Sequence, residues 1–333
     1  MTPSNTGPAL KNSSAMNRSP NRTHDRDTFF KYMSADTARQ VLSNRTLRWS
    51  SPLLFNDPFD VPRKLCFGVT PTSIVNASAR QMAEFIEYPP ADTSHLRPKI
   101  RLIVEAVKNG IFPKVKAKLL AATLDASASP PTSEHLDELR RLWQTWIPNM
   151  RILCLTESAD HFAMWLHYAD KYKGVVLELR CVDELDSVWL TAQRVKYEKQ
   201  KPDVYTAEGW AALLALPNEM ASQRMLHIAT YSKAADWSYE NEWRLLSFKR
   251  PMDTGHFTDY KFHPQELAGI YMGPLISPDA RKALILLAAN YPNIKYFDVS
   301  LGMSRELLYT EFSPPLESNG NEANCPNPQD ATT

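Results

Sequence analysis

Glycine is scarce in this chain. Only 10 of its 333 residues are glycine, whereas the average usage is about 7%. The Gly-rich signatures GxGxxG and GxxxxGK[ST] are missing, so the sequence predicts neither a Rossmann turn nor a phosphate-binding P-loop. HExxH and GxSxG are missing as well, which removes the usual signatures of zinc proteases and serine hydrolases.

Cysteine is also sparse. The four cysteines form no CxxC pair, and no histidine stands at a metal-ligand spacing from them. This pattern favours reduced thiols over a disulfide framework or a zinc site. The closest histidines, His161 and His167, are six residues apart, which on a helix separates their directions by about 120°. We therefore predict no metal. The cysteines are Cys66, Cys154, Cys181 and Cys325.

The sequence contains no run of about 18 apolar residues and no apolar stretch near its start, so it predicts neither a membrane span nor a signal peptide. Lys and Arg number 38 and Asp and Glu 37, so the net charge of +1 does not require a nucleic acid or an anionic membrane as partner. We expect a soluble, cytoplasmic protein. The polar leader leaves export by a specialised secretion system open.

Three segments are predicted. Residues 1–28 are rich in Asn, Ser and Pro and lack periodicity, and residues 315–333 are similarly polar, so both are expected to be disordered tails. Residues 29–314 alternate short strand patterns with helices of unequal length, which predicts a single α+β domain with a mixed sheet. Within it, residues 73–149 form a predicted helical insertion, with helices at 79–88, 96–109, 112–125 and 134–146 separated by Pro and Gly. A further helix is predicted at 206–228, across Pro217.

A charged, aromatic stretch runs from Trp237 to Leu246. Read as a strand, it places Glu240, Glu242 and Arg244 on one side and the aromatic residues on the other. A helix would scatter the apolar residues around its axis. We therefore predict a strand. A solvated charge row remains the simpler interpretation of this stretch taken alone.

Two further segments carry polar and aromatic groups. A helix predicted from Ser158 to Lys173 places His161, Trp165, Tyr168 and Tyr172 on one face, which could be core or could stack on a planar cation such as nicotinamide. The Pro-rich loop at 51–62 contains Asn56, Asp57 and Asp60, for which we predict Asx-type bonds that fix the loop rather than a role in catalysis.

Four groups of motifs occur in order between residues 29 and 300. They are Phe30-Lys31-Tyr32; Leu47-Arg48-Trp49-Ser50-Ser51-Pro52 with Phe55-Asn56-Asp57-Pro58-Phe59-Asp60; Met164-Trp165-Leu166-His167-Tyr168-Ala169 with Lys173-Gly174-Val175-Val176-Leu177-Glu178; and Trp237-Ser238-Tyr239-Glu240-Asn241-Glu242-Trp243-Arg244. Together they resemble DUF2971, a bacterial family of unknown function. The Phe-Asn-Asp-Pro-Phe-Asp block is its most specific part.

The same order of elements is similar, more weakly, to the ADP-ribosyltransferase superfamily. That resemblance implies a split β-core with a late Glu-x-Glu strand, here Glu240 and Glu242, and NAD as the substrate. Lys31 departs from the superfamily pattern, because Arg or His usually stands there. The implied NAD-binding residues are Lys31, Tyr32, Arg48, Ser50, Ser51, Trp165, His167 and Tyr168.

The implied chemistry is cleavage of the bond between nicotinamide and ribose. Glu242 would stabilise the oxocarbenium-like transition state, and Glu240 would orient or deprotonate the acceptor, which could be a protein side chain, a nucleobase or water. Such a protein could be a toxin or a phage-defence effector. Two alternatives stay open: a non-catalytic module that binds a nucleotide or partner, and a Mg²⁺-dependent nuclease using Asp57, Asp60, Glu240 and Glu242.

Overall fold

A mixed ten-stranded sheet organises the protein. The computed structural model describes residues 18–65, 69–117, 133–200 and 202–314. In this part of the chain the strand order is β12-β11-β10-β4-β1-β3-β2-β9, with β8 pairing β3 and β5 pairing β8. The strands of this sheet are β1 Thr28–Met33, β2 Thr46–Ser50, β3 Met150–Thr156, β4 Val175–Arg180, β5 Gln193–Arg194, β8 Glu242–Phe248, β9 Phe257–Lys261, β10 Leu267–Met272, β11 Lys295–Leu301 and β12 Leu307–Phe312. A separate pair consists of β6 Lys196–Glu198 and β7 Ser232–Ala234.

Helices lie on both faces of the sheet, so the predicted α+β class is confirmed. None of the helices in the described ranges is long and apolar enough to span a membrane. The helices are α1 Ala35–Asn44, α2 Pro71–Glu87, α3 Pro98–Lys108, α4 Ser133–Trp146, α5 Phe162–Tyr168, α6 Ala207–Leu214, α7 Asn218–Tyr231 and α8 Pro278–Ala288.

The sheet opens between β1 and β2. Strand β3 pairs with β8 along its whole length. On its other edge β3 meets β1 through the pair Phe30–Thr156 and β2 through the pair Ser50–Ile152. Between these two pairs, the carbonyl oxygen of Cys154 accepts a hydrogen bond from Lys31 Nζ at 2.7 Å. The lysine therefore satisfies a backbone acceptor where β1 and β2 diverge.

The two faces of the sheet bury different sets of side chains. Residues directly opposite in neighbouring strands share a face, so Phe30, Thr156 and Glu242 lie together on what we call the cleft face. The other face forms the larger core, where Phe29 and Leu177 are buried beneath α1 and α8. On the cleft face, α5 covers the middle strands, and a second core forms around Trp143 and Trp210.

The helical insertion begins earlier than its predicted helix at 79. Thr70 caps α2 through a reciprocal capping box with Ser73, and Pro71 occupies the first helical turn. Both features favour helix initiation at this point. Two observed helices, α3 and α4, match predicted ones closely. The predicted helix at 112–125 lies mostly outside the described residues, as do residues 1–17 and the tail at 315–333.

Two predicted helices are shorter than expected. The single helix predicted across Pro217 is two helices, α6 and α7, because this residue precedes a new N-terminus instead of continuing the first helix. Helix α5 ends at Tyr168 instead of Lys173, since Asp170, Lys171 and Tyr172 all have positive φ. That left-handed run is incompatible with a continuing α-helix.

The predicted disordered tail at 1–28 also requires correction, because residues 18–27 are ordered along the sheet edge. The Thr23 amide donates to the Leu190 carbonyl at 2.8 Å. The His24 ring packs edge-on against Phe29 and Trp243, each at 5.1 Å between centroids. Polar composition concealed these anchors, since a few well-placed aromatic contacts are enough to hold a short segment.

Gly174, at the start of β4, is required by close backbone packing. A Cβ at this position would overlap the carbonyl oxygen of Met33 on β1. We expect Gly174→Ala to reduce the free energy of unfolding by about 1–3 kcal/mol. Gly269→Ala is the matched control, since its Cβ would meet only the movable Glu178 carboxylate at 3.0 Å. Thermal melts of both variants test this, and equal melting temperatures contradict it.

Candidate functional site

A cleft of about 230 Å³ opens on the cleft face, beside the gap between β1 and β2. Strands β1, β2 and β3 form its floor, and α5 and the loop after β2 form its sides. Its far end is closed by Lys233, Trp237 and the two glutamates predicted to be catalytic. The lining residues include Phe30, Lys31, Tyr32, Arg48, Ser50, Phe55, Asn56, Asp57, Asp60, Cys154, Thr156, Tyr168, Lys233, Trp237, Glu240 and Glu242.

Five charged side chains form a buried cluster at this end of the cleft. Three are carboxylates and two are cations, so the formal charge is −1 when all are ionised. Each residue is at most 8% exposed. Buried charges of this kind require close partners, because desolvation of an unpaired charge is very costly. The charge cluster consists of Asp60, Lys233, Glu240, Glu242 and Arg244.

Arg244 is the centre of the charge cluster. Its Nη2 donates to both carboxylate oxygens of Asp60 at 2.8 and 2.7 Å. Its Nε and Nη2 donate to the two oxygens of Glu242 at 2.8 and 2.9 Å. Burial alone raises the pKa of Glu242, but Arg244 and Lys233 override this and hold that pKa well below its usual range. The two cations therefore favour the ionised form of Glu242.

Lys233 was missed by the sequence analysis. Its Nζ lies 2.5 Å from Glu240 Oε2, 3.2 Å from Glu242 Oε2 and 3.4 Å from Asp60 Oδ2. It also lies 5.1 Å from the centroid of the Trp237 ring. Burial lowers the pKa of Lys233, but the three carboxylates raise it above its usual value. No local pattern marks this residue: Glu240 and Glu242 lie seven and nine residues along the chain, and Asp60 comes from the loop after β2.

Glu240 differs from Glu242 in its partners. Its Oε1 accepts from the Tyr168 hydroxyl at 2.6 Å, and its Oε2 accepts from Lys233. A carboxylate can accept about four hydrogen bonds, so Glu240 keeps acceptor capacity that Arg244 and Lys233 use up on Glu242. Burial raises the pKa of Glu240 above its ordinary value. Burial also raises the pKa of Asp60 in the same cluster.

The predicted strand from Trp237 to Leu246 is correct only in its second half. Strand β8 begins at Glu242, whereas residues Ala235–Glu240 form a 3₁₀ helix and Asn241 has φ 41°. The left-handed residue reverses the chain before the strand starts. Glu242 and Arg244 still share one face as predicted, and the 3₁₀ helix delivers Glu240 to the same cluster by another route.

Five of the eight predicted NAD-binding residues line the cleft: Lys31, Tyr32, Arg48, Ser50 and Tyr168. The other three do not. Trp165 is fully buried, and its Nε1 donates to the Ala159 carbonyl. The Ser51 hydroxyl donates to the Ile147 carbonyl in the core. His167 lies exposed on α5. The aromatic wall is instead provided by Tyr168, Trp237 and Phe55.

The loop after β2 contributes three polar residues. Asp57 Oδ1 accepts from the Phe59 amide at 2.8 Å, an Asx-type bond of the kind predicted for this loop. Asp60 anchors the loop to Arg244. Asn56 and Asp57 face the cleft. These contacts agree with a fixed loop wall as the role of the segment.

Comparison with known families identifies part of this site. Residues 164–245 match the model of a family described as protein of unknown function (DUF2971). The chain carries a DUF2971 region. The match supports the predicted DUF2971 resemblance over these residues. The DUF2971 region contains four members of the charge cluster, Lys233, Glu240, Glu242 and Arg244. Searches of curated proteins and of solved structures gave no significant match.

Removal of Arg244 tests the electrostatic core of the DUF2971 site. Arg244→Met leaves Asp60 and Glu242 buried without their main partner, and we expect a loss of about 3–5 kcal/mol in the free energy of unfolding. Arg48→Met is the matched control. Arg48 also binds an aspartate, Asp259, but their side chains are 50% and 40% exposed, so the expected loss is about 1 kcal/mol or less. Denaturant titration measures both, and similar losses contradict the prediction.

Proposed function

We propose that the cleft binds NAD and cleaves the bond between nicotinamide and ribose, as an ADP-ribosyltransferase or NAD glycohydrolase. The observation that carries the proposal is the convergence of Glu240, Glu242, Tyr168 and Ser50 on a single cleft. These residues come from four separate elements, and the sequence predicted each of them for this chemistry. A role as a toxin or phage-defence effector is part of the same proposal.

The charge of the site fits a substrate that is cationic or becomes so. Three carboxylates face two cations in the charge cluster, which leaves one negative charge when all are ionised. Nicotinamide carries a positive charge in NAD, and an oxocarbenium-like ribose develops one as the bond breaks. A preorganised negative charge in a buried site stabilises such a state more strongly than solvent does.

The two glutamates support different roles. Glu242 is held ionised and fixed by Arg244, which suits a carboxylate that stabilises positive charge. Glu240 has spare acceptor capacity and a raised pKa, which suits a base that takes a proton from the incoming acceptor. When water is the acceptor, its oxygen bonds to the ribose carbon, nicotinamide leaves with the electron pair, and Glu240 receives the proton.

The walls of the cleft support the binding step. Tyr168 and Trp237 offer aromatic surfaces next to the carboxylates, where a nicotinamide ring could stack. The opposite side contains Lys31, Arg48 and Ser50, whose donors suit ribose hydroxyls and phosphate oxygens. Arg48 is already bound to Asp259 at 3.0 Å, so Lys31 and Ser50 are the stronger candidates for this contact.

The nuclease alternative has less support. A Mg²⁺ ion would need oxygen ligands from Asp60, Glu240 and Glu242. Those oxygens accept hydrogen bonds from Arg244, Lys233 and Tyr168. The non-catalytic alternative uses the same cleft for binding alone, and it is separated from catalysis only by turnover.

Incubation with NAD⁺ tests the proposal. We expect the wild-type chain to release nicotinamide, measured by chromatography, and Glu242→Gln to reduce the rate at least 100-fold, because a neutral amide cannot stabilise the developing charge. Glu311→Gln, on the distant strand β12, is the charge-matched control and should retain full activity.

Two outcomes count against this function. If NAD⁺ stays intact but raises the melting temperature of the protein, the non-catalytic binding module is correct. If NAD⁺ neither reacts nor binds, the nucleotide assignment itself is wrong. Melting curves of Glu242→Gln must show a folded protein before its rate is interpreted.

The pH dependence of NAD⁺ cleavage tests the role of Glu240. A base acts in its deprotonated form, so the rate should rise with pH through the raised pKa of Glu240 and level off above it. Tyr168→Phe removes a hydrogen bond to the ionised form, so this variant should shift the acidic limb to higher pH. An unchanged pH profile in Tyr168→Phe contradicts the assignment.

A further inference from the structure

The cleft face of the sheet continues beyond the cleft as a partly exposed aromatic surface. Tyr271 on β10 stacks on Phe297 of β11, with ring centroids 4.4 Å apart. Phe30 and Tyr309 meet the same tyrosine edge-on at 5.9 and 6.0 Å. All four rings are partly exposed. We call Phe30, Tyr271, Phe297 and Tyr309 the aromatic platform.

A carboxylate lies within the aromatic platform. Glu178 on β4 is opposite Phe30 on one side and Gly269 on the other. Its Oε2 accepts from the Tyr271 hydroxyl at 2.9 Å. Among the residues that the structure describes, no Lys or Arg nitrogen lies within ion-pair distance of Glu178. A half-buried carboxylate beside aromatic rings therefore lacks a cation.

The nearest basic residues do not supply that cation. Lys295, opposite Gly269 on β11, is directed to Glu311 at 3.2 Å. Arg180 lies two residues along β4 on the same face and is exposed. A Cβ on Gly269 would lie 3.0 Å from the Glu178 carboxylate, so the glycine leaves Glu178 room beside the rings.

The aromatic platform is continuous with the cleft, because Phe30 belongs to both. A ligand group at Glu178 is therefore one strand away from the residues at the cleft floor. A single elongated molecule, or two molecules side by side, could contact both regions.

We propose that Glu178 and the aromatic platform bind a guanidinium group, such as the arginine side chain of a protein partner. A guanidinium is planar and presents parallel N–H donors, so it can bond a carboxylate and stack on aromatic rings together. A lysine ammonium is a compact, strongly hydrated charge that stacks less well. Binding does not depend on the proposed function. Use of the bound arginine as the acceptor of ADP-ribose does rest on the proposed function.

Isothermal titration with Nα-acetyl-arginine amide tests the site without any NAD. We expect saturable binding that weakens about tenfold or more in Glu178→Gln, because a charge-assisted hydrogen bond is lost. Nα-acetyl-citrulline amide has nearly the same shape without the charge and should bind at least tenfold more weakly than the arginine compound. Glu208→Gln, an exposed glutamate on α6, is the charge-matched control and should bind like the wild type.

Tyr271→Phe keeps the ring and frees the Glu178 carboxylate from its hydrogen bond. It should bind the arginine compound at least as well as the wild type. Retained binding in this variant shows that a substitution in the platform does not by itself unfold the site. Equal binding of the citrulline compound, or unchanged binding in Glu178→Gln, overturns the proposal. So does a loss of binding in Glu240→Gln, because that result locates the arginine in the cleft.

Discussion

The pairing of Arg244 with Asp60 and Glu242 is the interaction on which the site depends. One guanidinium joins the loop after β2 to strand β8, and its Nη1 also donates to the Thr230 carbonyl near the end of α7 at 2.6 Å. Asp60 is 184 residues from Arg244 in sequence and Thr230 is 14, and Lys233 adds ion pairs to Asp60 and Glu242. Because an unpaired buried guanidinium is so unfavourable, the three segments can pack together only in an arrangement that supplies all of its acceptors. The shape of the cleft is therefore fixed by electrostatics as much as by apolar packing.

The charge cluster around Arg244 contains one more carboxylate than cations. Two cations face three acids, and Glu240 is the acid that Arg244 does not contact. Its bonds to Tyr168 and Lys233 hold the side chain in place without occupying all its lone pairs. The same burial that makes the cluster rigid also raises the pKa of Glu240. The two glutamates, two residues apart, thus differ in their partners: Arg244 binds Glu242, and Tyr168 binds Glu240.

Local sequence patterns correctly predicted features that depend on local structure, such as the face of a strand on which a side chain lies. The period-two alternation correctly placed Glu242 and Arg244 on one face of β8, and an Asx-type bond of the predicted kind occurs at Asp57. What depends on distant contacts was missed. Lys233 has no signature in the chain around it, and its partner Asp60 comes from the loop after β2. Trp165 was assigned to the ligand because helical spacing gives a face but does not tell which side is buried. The ordered segment at 18–27 was missed because two ring contacts outweigh its polar composition.

Lys31 shows how a structural contact and a ligand contact can coexist. The weaker family resemblance gave this residue a part in NAD binding, whereas the structure gives it the carbonyl of Cys154 where β1 and β2 diverge. If Lys31 left that carbonyl for a ligand, a buried acceptor would lose its partner, at about 1–3 kcal/mol. An ammonium has three donors, however, and the backbone uses one of them. Lys31 lines the cleft, so its remaining donors can reach a ligand oxygen while the sheet stays satisfied. Arginine has a longer side chain with a planar head group, so replacing Lys31 with arginine would change the opening between the two strands.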